Sequence, residues 1–97
     1  MDPEIKAKYI EALRSGKYIQ RRGGLSYQLR DGTMEYCALG VLGLVVGVDL
    51  NSYEVYDKIK YAAKLTTDCE AEIIAANDLS MYSFTQIADD LESGKIC

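Results

Sequence analysis

Twelve residues, Cys37–Val48, run without a single charged side chain and contain little but aliphatic residues and glycine. In a chain of 97 residues there is room for one domain and one core, so this stretch is expected to be its central element. An all-apolar run has no period to read, and Cys37–Val46 fits a buried strand as well as a buried helix. Its length of about ten residues, with Ala38, Leu39 and Leu42, favours the helix, with Gly47 as its stop. Gly40 and Gly43 would each cost such a helix about 0.8–1 kcal/mol relative to alanine. Their usual compensation is the close approach of another backbone.

The remaining elements are punctuated more clearly. Asp2-Pro3 opens a helix that Ser15-Gly16 closes, with Ile5, Tyr9, Ala12 and Leu13 on its apolar side. Tyr18-Ile19-Gln20 reads as extended, and Arg21-Arg22-Gly23-Gly24 as a turn or loop. Leu25, Tyr27 and Leu29 then alternate with Ser26, Gln28 and Arg30 ahead of Asp31-Gly32, the pattern of a β-hairpin with a two-residue type I′ turn. That turn pairs Arg30 with Thr33, Leu29 with Met34, Gln28 with Glu35 and Tyr27 with Tyr36. It places Leu25, Tyr27, Leu29, Met34 and Tyr36 on one face. Over Ser52–Leu65, Val55, Ile59 and Ala62 fit a helix, while Tyr53, Val55, Ile59 and Tyr61 fit an interrupted strand; the helix is preferred. Thr67-Asp68-Cys69-Glu70 and Ser83-Phe84-Thr85-Gln86 read as capping boxes opening two further helices, the second stopped by Gly94. The expected fold is α+β, a single domain over 1–97: N-terminal helix, β-hairpin, central apolar helix and C-terminal helices.

Composition removes several kinds of function. The apolar run is far short of the roughly 20 residues that span a bilayer, and the N-terminal Met1-Asp2-Pro3-Glu4 is acidic where a secretory signal is basic, so the protein is expected to be cytoplasmic with no membrane partner. Cys37, Cys69 and Cys97 are an odd number without close pairing, so no disulfide framework is expected. Histidine is absent, which removes the commonest general base and the usual partner of a nucleophile, and with it most metal sites. Cys37 lies in the apolar run and reads as an inert core thiol. Asp89 and Glu92 share a helix face and could hold a hard cation, but an isolated acidic helix face is ordinarily just solvated. Neither an enzyme nor a bound cofactor or metal is expected.

Charge is unevenly shared. Residues 1–30 hold seven basic side chains against three acidic ones, a net +4, in a chain of net charge −4, so residues 31–97 carry −8. Within the basic part, Lys17, Arg21, Arg22 and Arg30 lie close together in sequence. Gly23-Gly24 would let backbone amides turn toward an anion, and arginine forks suit phosphate. Tyr18 and Tyr27 flank the cluster and could stack on a base. The candidate ligand-binding set is therefore Tyr18, Arg21, Arg22, Gly23, Gly24, Tyr27 and Arg30. The competing reading is a loop made soluble by arginine beside two core tyrosines. A pI near 4.7 argues against direct DNA binding. The acidic part offers another route: Asp68, Glu70, Glu72, Asp78, Asp89, Asp90 and Glu92 could imitate a nucleic-acid backbone toward a basic host protein.

Three blocks carry a resemblance over most of the chain except about residues 48–68. They are Glu11–Gln20, Tyr36–Leu42, and Ala76-Asn77-Asp78 followed by Ser83–Glu92. In order and spacing they resemble a group of small bacteriophage and prophage proteins with AL-x-SG-x-Y-x-Q, then YC-x-LGVL, then ND and F-x-x-IAD-x-(I/L)-E. Ala38 stands where that group often has a second cysteine. The resemblance implies a setting, a phage accessory protein in the host cytoplasm, and no reaction. By analogy such proteins bind host or defence components. The expectation is thus a non-catalytic anti-defence protein that sequesters an anionic nucleotide-type signal, as a homo-oligomer with the pocket near a subunit boundary. The alternative is a protein–protein inhibitor of a host or defence protein that uses the acidic surface.

Overall fold

A computed structural model describes all of residues 1–97 and confirms the α+β architecture. Its elements are α1 (Pro3–Arg14), β1 (Ile19–Gln20), β2 (Ser26–Gln28), β3 (Met34–Tyr36), α2 (Ala38–Val45), α3 (Val55–Ala63), α4 (Thr67–Asp78) and α5 (Phe84–Ser93). The apolar run is a helix, and its first six residues, Ala38–Gly43, are all buried. Helices α1, α3 and α4 surround it, and α5 lies along α1. Tyr9, Leu39, Leu42, Ile59, Ile73, Ile87 and Leu91 form the heart of the core.

The glycines of α2 explain its placement. A methyl group on Gly40 would collide with the carbonyl of Leu25, so that backbone approach is open only to glycine. Leu25 also accepts the Cys37 N–H at 3.3 Å, which docks the start of β2 onto the start of α2. Gly43 instead makes room for side chains: a methyl there would lie 2.6 Å from Leu50 and 3.0 Å from Ile59. Both helix-propensity losses are thus offset by packing.

The three strands form one sheet in the order β1-β3-β2, with β1 parallel and β2 antiparallel to β3. The hairpin register differs by one residue from the expected one: Tyr27 pairs with Glu35 and Gln28 with Met34. Leu29 and Thr33 close a three-residue loop, Arg30-Asp31-Gly32, in which only Gly32 takes a positive φ. Asp31 keeps a negative φ, and its carboxylate accepts the Thr33 N–H at 2.9 Å. A three-residue loop with glycine in the left-handed position competes with the two-residue turn for the same Asp-Gly sequence, and here it prevails. The slip moves Tyr27 off the face of Met34 and Tyr36 onto the outer face, beside Glu35 and Ile19.

The helix ends show two outcomes. Ser83 and Gln86 make the full reciprocal capping box, and Gly94 ends α5 in the left-handed region. Helix α4 is capped one residue earlier than expected: Thr66, not Thr67, accepts the Cys69 N–H at 3.0 Å, and no reciprocal bond forms. One expectation is overturned outright. Cys69 and Cys97 are joined by a disulfide, with Cα atoms 4.9 Å apart, and Cys37 is left as the free, buried thiol. The pair was not visible in sequence because the partners stand 28 residues apart and meet only when α5 folds back along α4. No helix is long and apolar enough to cross a membrane.

Candidate functional site

The strongest polar constellation lies where β1, α2 and α4 converge, and Asn77 is at its centre. Asn77 is 1 % exposed. Its Oδ1 accepts from Gln20 Nε2 at 2.8 Å and from the Ala38 N–H at 3.0 Å. Its Nδ2 donates to the Arg21 carbonyl at 2.9 Å and to Asp78 Oδ1 at 2.7 Å. All four hydrogen-bonding capacities of the amide are used. The Ala38 N–H is one of the donors that the first turn of a helix leaves unmatched, so Asn77 caps α2 from across the core. Gln20 spends its second amide hydrogen on the Tyr82 carbonyl, at 2.7 Å. Tyr9 closes the other side of the junction by donating to the Ala38 carbonyl at 2.6 Å. The sequence blocks Glu11–Gln20, Tyr36–Leu42 and Ala76-Asn77-Asp78 therefore meet at one point, through Gln20, Ala38 and Asn77.

The basic loop folds against this junction rather than away from it. Gly23 does turn its amide toward an anion, but the anion is Asp78 of the same chain, 3.0 Å away. Arg22 reaches the carbonyl of Met81 at 2.9 Å and that of Tyr82 at 3.4 Å. Arg21 stacks its guanidinium 4.2 Å over the Tyr27 ring and bonds Glu35 at 3.3 Å. Tyr18 packs edge-to-face on Tyr36, ring centres 5.8 Å apart, against the core. Arg30 sits exposed in the hairpin loop, and Gly24 is half-buried with open space around its Cα. The expected convergence of Arg21, Arg22 and Arg30 on one pocket is thus not what the fold builds. Two of the three guanidinium groups are held by neighbours within the chain: β1–β3 pairing brings Glu35 to Arg21, and the turn after α4 brings the 81–82 carbonyls to Arg22.

Hollows occur elsewhere. One of about 250 Å³ lies at the end of α1, between Lys8, Glu11, Ser15, Lys17 and Tyr18. A second, of about 550 Å³, adjoins it along Ile10, Arg14 and Lys17. Lys8 and Lys17 make no ion pair. Nearby, Arg14 bridges α1 to α5, bonding Asp89 at 2.7 Å and Glu92 at 3.1 Å and 3.2 Å. Its hydrogen bonds to Glu92 and Asp89 hold the guanidinium proton more tightly than usual and keep the Glu92 carboxyl below the ordinary carboxylate range. Asp89 and Glu92, a possible cation pair in sequence, share this arginine, which offsets one of their two charges. No group of three or more acidic or cysteine side chains is arranged to hold a metal.

Nucleophile chemistry finds little purchase. Burial pushes the Cys37 thiol up, outweighing the opposite effect of the Gly40 N–H that its sulfur accepts as cap of α2, so the protonated form dominates at neutral pH. Burial, reinforced by Cys37, also raises Tyr9 well above the usual phenol range. Sequence reasoning missed Asn77 and Gln20 as partners. It named Asn77 only within the Ala76-Asn77-Asp78 block, and nothing local distinguishes a buried asparagine there from a capping one.

No curated protein sequence and no solved structure matches the chain. A family profile does match, over residues 1–63, that is α1 through α3. The matched part provides Gln20, Ala38 and the basic loop, whereas Asn77, Asp78 and the Asp89–Glu92 clasp lie beyond it. By that match, which covers well over half its length, the chain belongs to DUF8296, a domain family of unknown function.

Proposed function

We propose that this chain is a small, non-catalytic phage accessory protein that acts by binding a host or defence protein through its outer surface. One observation carries the reading: eight large apolar or aromatic side chains are exposed, and the most exposed of them stand at two places besides the Ile19–Tyr27 face of the sheet. Tyr53 and Tyr61, 83 % and 89 % exposed, stand before and on α3; Leu79, 82 % exposed, begins the Leu79–Tyr82 turn that also displays Met81. Tyrosine and methionine are enriched at protein interfaces, and a tyrosine ring contributes area at little ordering cost. The acidic-mimic version of this idea weakens, because Asp78, Glu72, Asp89 and Glu92 all have partners inside the chain. Affinity capture from infected or defence-activated cells tests the proposal. The expected result is one stoichiometric partner, lost on Tyr53→Ala/Tyr61→Ala or Leu79→Ala/Met81→Ala in a protein whose melting is unchanged. Capture that both double variants retain would end it.

A second reading keeps the anionic small molecule but moves its seat. The hollow lined by Lys8, Lys17 and Tyr18 combines two unpaired ammonium groups with an aromatic ring, against the single Glu11 carboxylate. A nucleotide-type signal held there would be released on heating native protein, and Lys8→Glu/Lys17→Glu would abolish its recovery while Arg21→Glu would not. Light scattering separates the two: a chain this small would need a second copy to enclose a nucleotide, whereas a surface binder works as a monomer.

A further inference from the structure

The segment after α5 crosses to α4 and is fastened there. Gly94 turns the backbone, the Lys95 and Ile96 N–H groups both bond the Asp90 carbonyl, at 2.9 Å and 3.1 Å, and Ile96 enters the core. The Cys97 N–H then reaches Glu72 of α4 at 3.1 Å, and its sulfur is joined to Cys69 in the first turn of the same helix. Only Ile96 of the three residues is buried, so the covalent bond is the strongest link between this segment and α4. We propose that the Cys69–Cys97 bond is a redox-sensitive latch: oxidised, it clamps Lys95–Cys97 onto α4; reduced, it lets that segment lift while the rest of the fold persists.

The two sulfurs differ in a way that makes exchange directional. Cys97 is exposed, whereas Cys69 is 4 % exposed. The thiolate of a dithiol reductant therefore attacks the Cys97 sulfur, and the Cys69 sulfur leaves with the electron pair and takes a proton from solvent. The reductant's second thiol then attacks the mixed disulfide and frees Cys97, leaving the reductant as its own disulfide; two electrons have moved to the protein. In a cytoplasm kept reducing by such dithiols the latch stands open, and oxidising conditions close it.

The experiment begins with purified protein oxidised by glutathione disulfide and then alkylated under denaturing conditions. Without reductant one cysteine, Cys37, is expected to be modified, and after dithiothreitol all three. Amide hydrogen exchange on the native protein then reads the latch. Reduction is expected to speed exchange at Lys95–Cys97 at least tenfold while α1 and α2 keep their protection. Cys97→Ser should match the reduced protein and ignore reductant. Three modified cysteines before reduction would overturn the proposal, as would equal exchange at 95–97 in both states. Loss of protection across α1 and α2 on reduction would also overturn it, by showing a staple for the whole fold in place of a local latch.

Discussion

Two polar contacts tie the last two helices to the front of the molecule, and they differ in everything but that role. The Asn77 junction is buried, uncharged at its centre, and connects residues 39 to 57 positions apart with every donor and acceptor matched. The Arg14 clasp is fully charged and bidentate, yet lies in water: Arg14, Asp89 and Glu92 side chains are 36 %, 62 % and 64 % exposed. Formal charge alone would rank the clasp first. Burial reverses the order, because an unmatched polar group inside a protein bears a desolvation cost that a surface ion never meets. The same contrast explains the basic loop, whose arginines look available in sequence and are half-committed in the fold.

The comparison breaks most decisively at Asn77. Asn77→Ala leaves the Ala38 N–H, the Arg21 carbonyl and one Gln20 donor unmatched in the interior. A loss of about 3–5 kcal/mol is expected, enough to unfold much of a domain this size at 37 °C. Urea denaturation at neutral pH measures it. A loss below about 1 kcal/mol would mean that water enters the junction freely and that the contrast with the clasp is false.

What was legible in the sequence follows the range of the interactions. The Ser83–Gln86 capping box spans three residues and reads correctly, as do the Pro3 start and Gly94 stop. Gly40 announces a close backbone approach because a glycine inside an apolar helix has few other uses. The hairpin was half legible: Asp31-Gly32 marks the loop, but two loop types accept that pair, and the difference is a single φ at Asp31. The fate of Arg21 and Arg22 was not legible, since charge shows in sequence while Glu35 and the Met81 carbonyl as partners do not. The disulfide and the Asn77 junction depend on how α4 and α5 return to the N-terminal half, which no local pattern encodes.

A smaller effect sharpens the interior side of the contrast. Gly40→Ala should raise helix propensity by about 0.8–1 kcal/mol yet destabilise the protein by about 1–3 kcal/mol, because the methyl meets the Leu25 backbone rather than a side chain that could swing away. Thermal melting of this variant beside Gly47→Ala separates packing from backbone strain, since Gly47 has a positive φ and open space around it. Equal losses at both positions would show that the Leu25 contact is not what fixes α2.

The smallest effect belongs to the clasp, and its pH dependence identifies it. Glu92 has a folded pKa below its ordinary 4.5 because Arg14 hydrogen-bonds its charged form. Such a group adds stability that is present above its unfolded pKa and lost as pH falls through the lower folded value. Arg14→Ala should therefore cost little at pH 7, less still in high salt, and nothing once the pH is low enough to protonate Glu92 in both proteins. Carboxyl NMR titration should show Glu92 moving back up toward 4.5 in the variant. If Glu92 titrates identically with and without Arg14, the clasp is not formed in solution, and α5 is held to α1 by the apolar core without it.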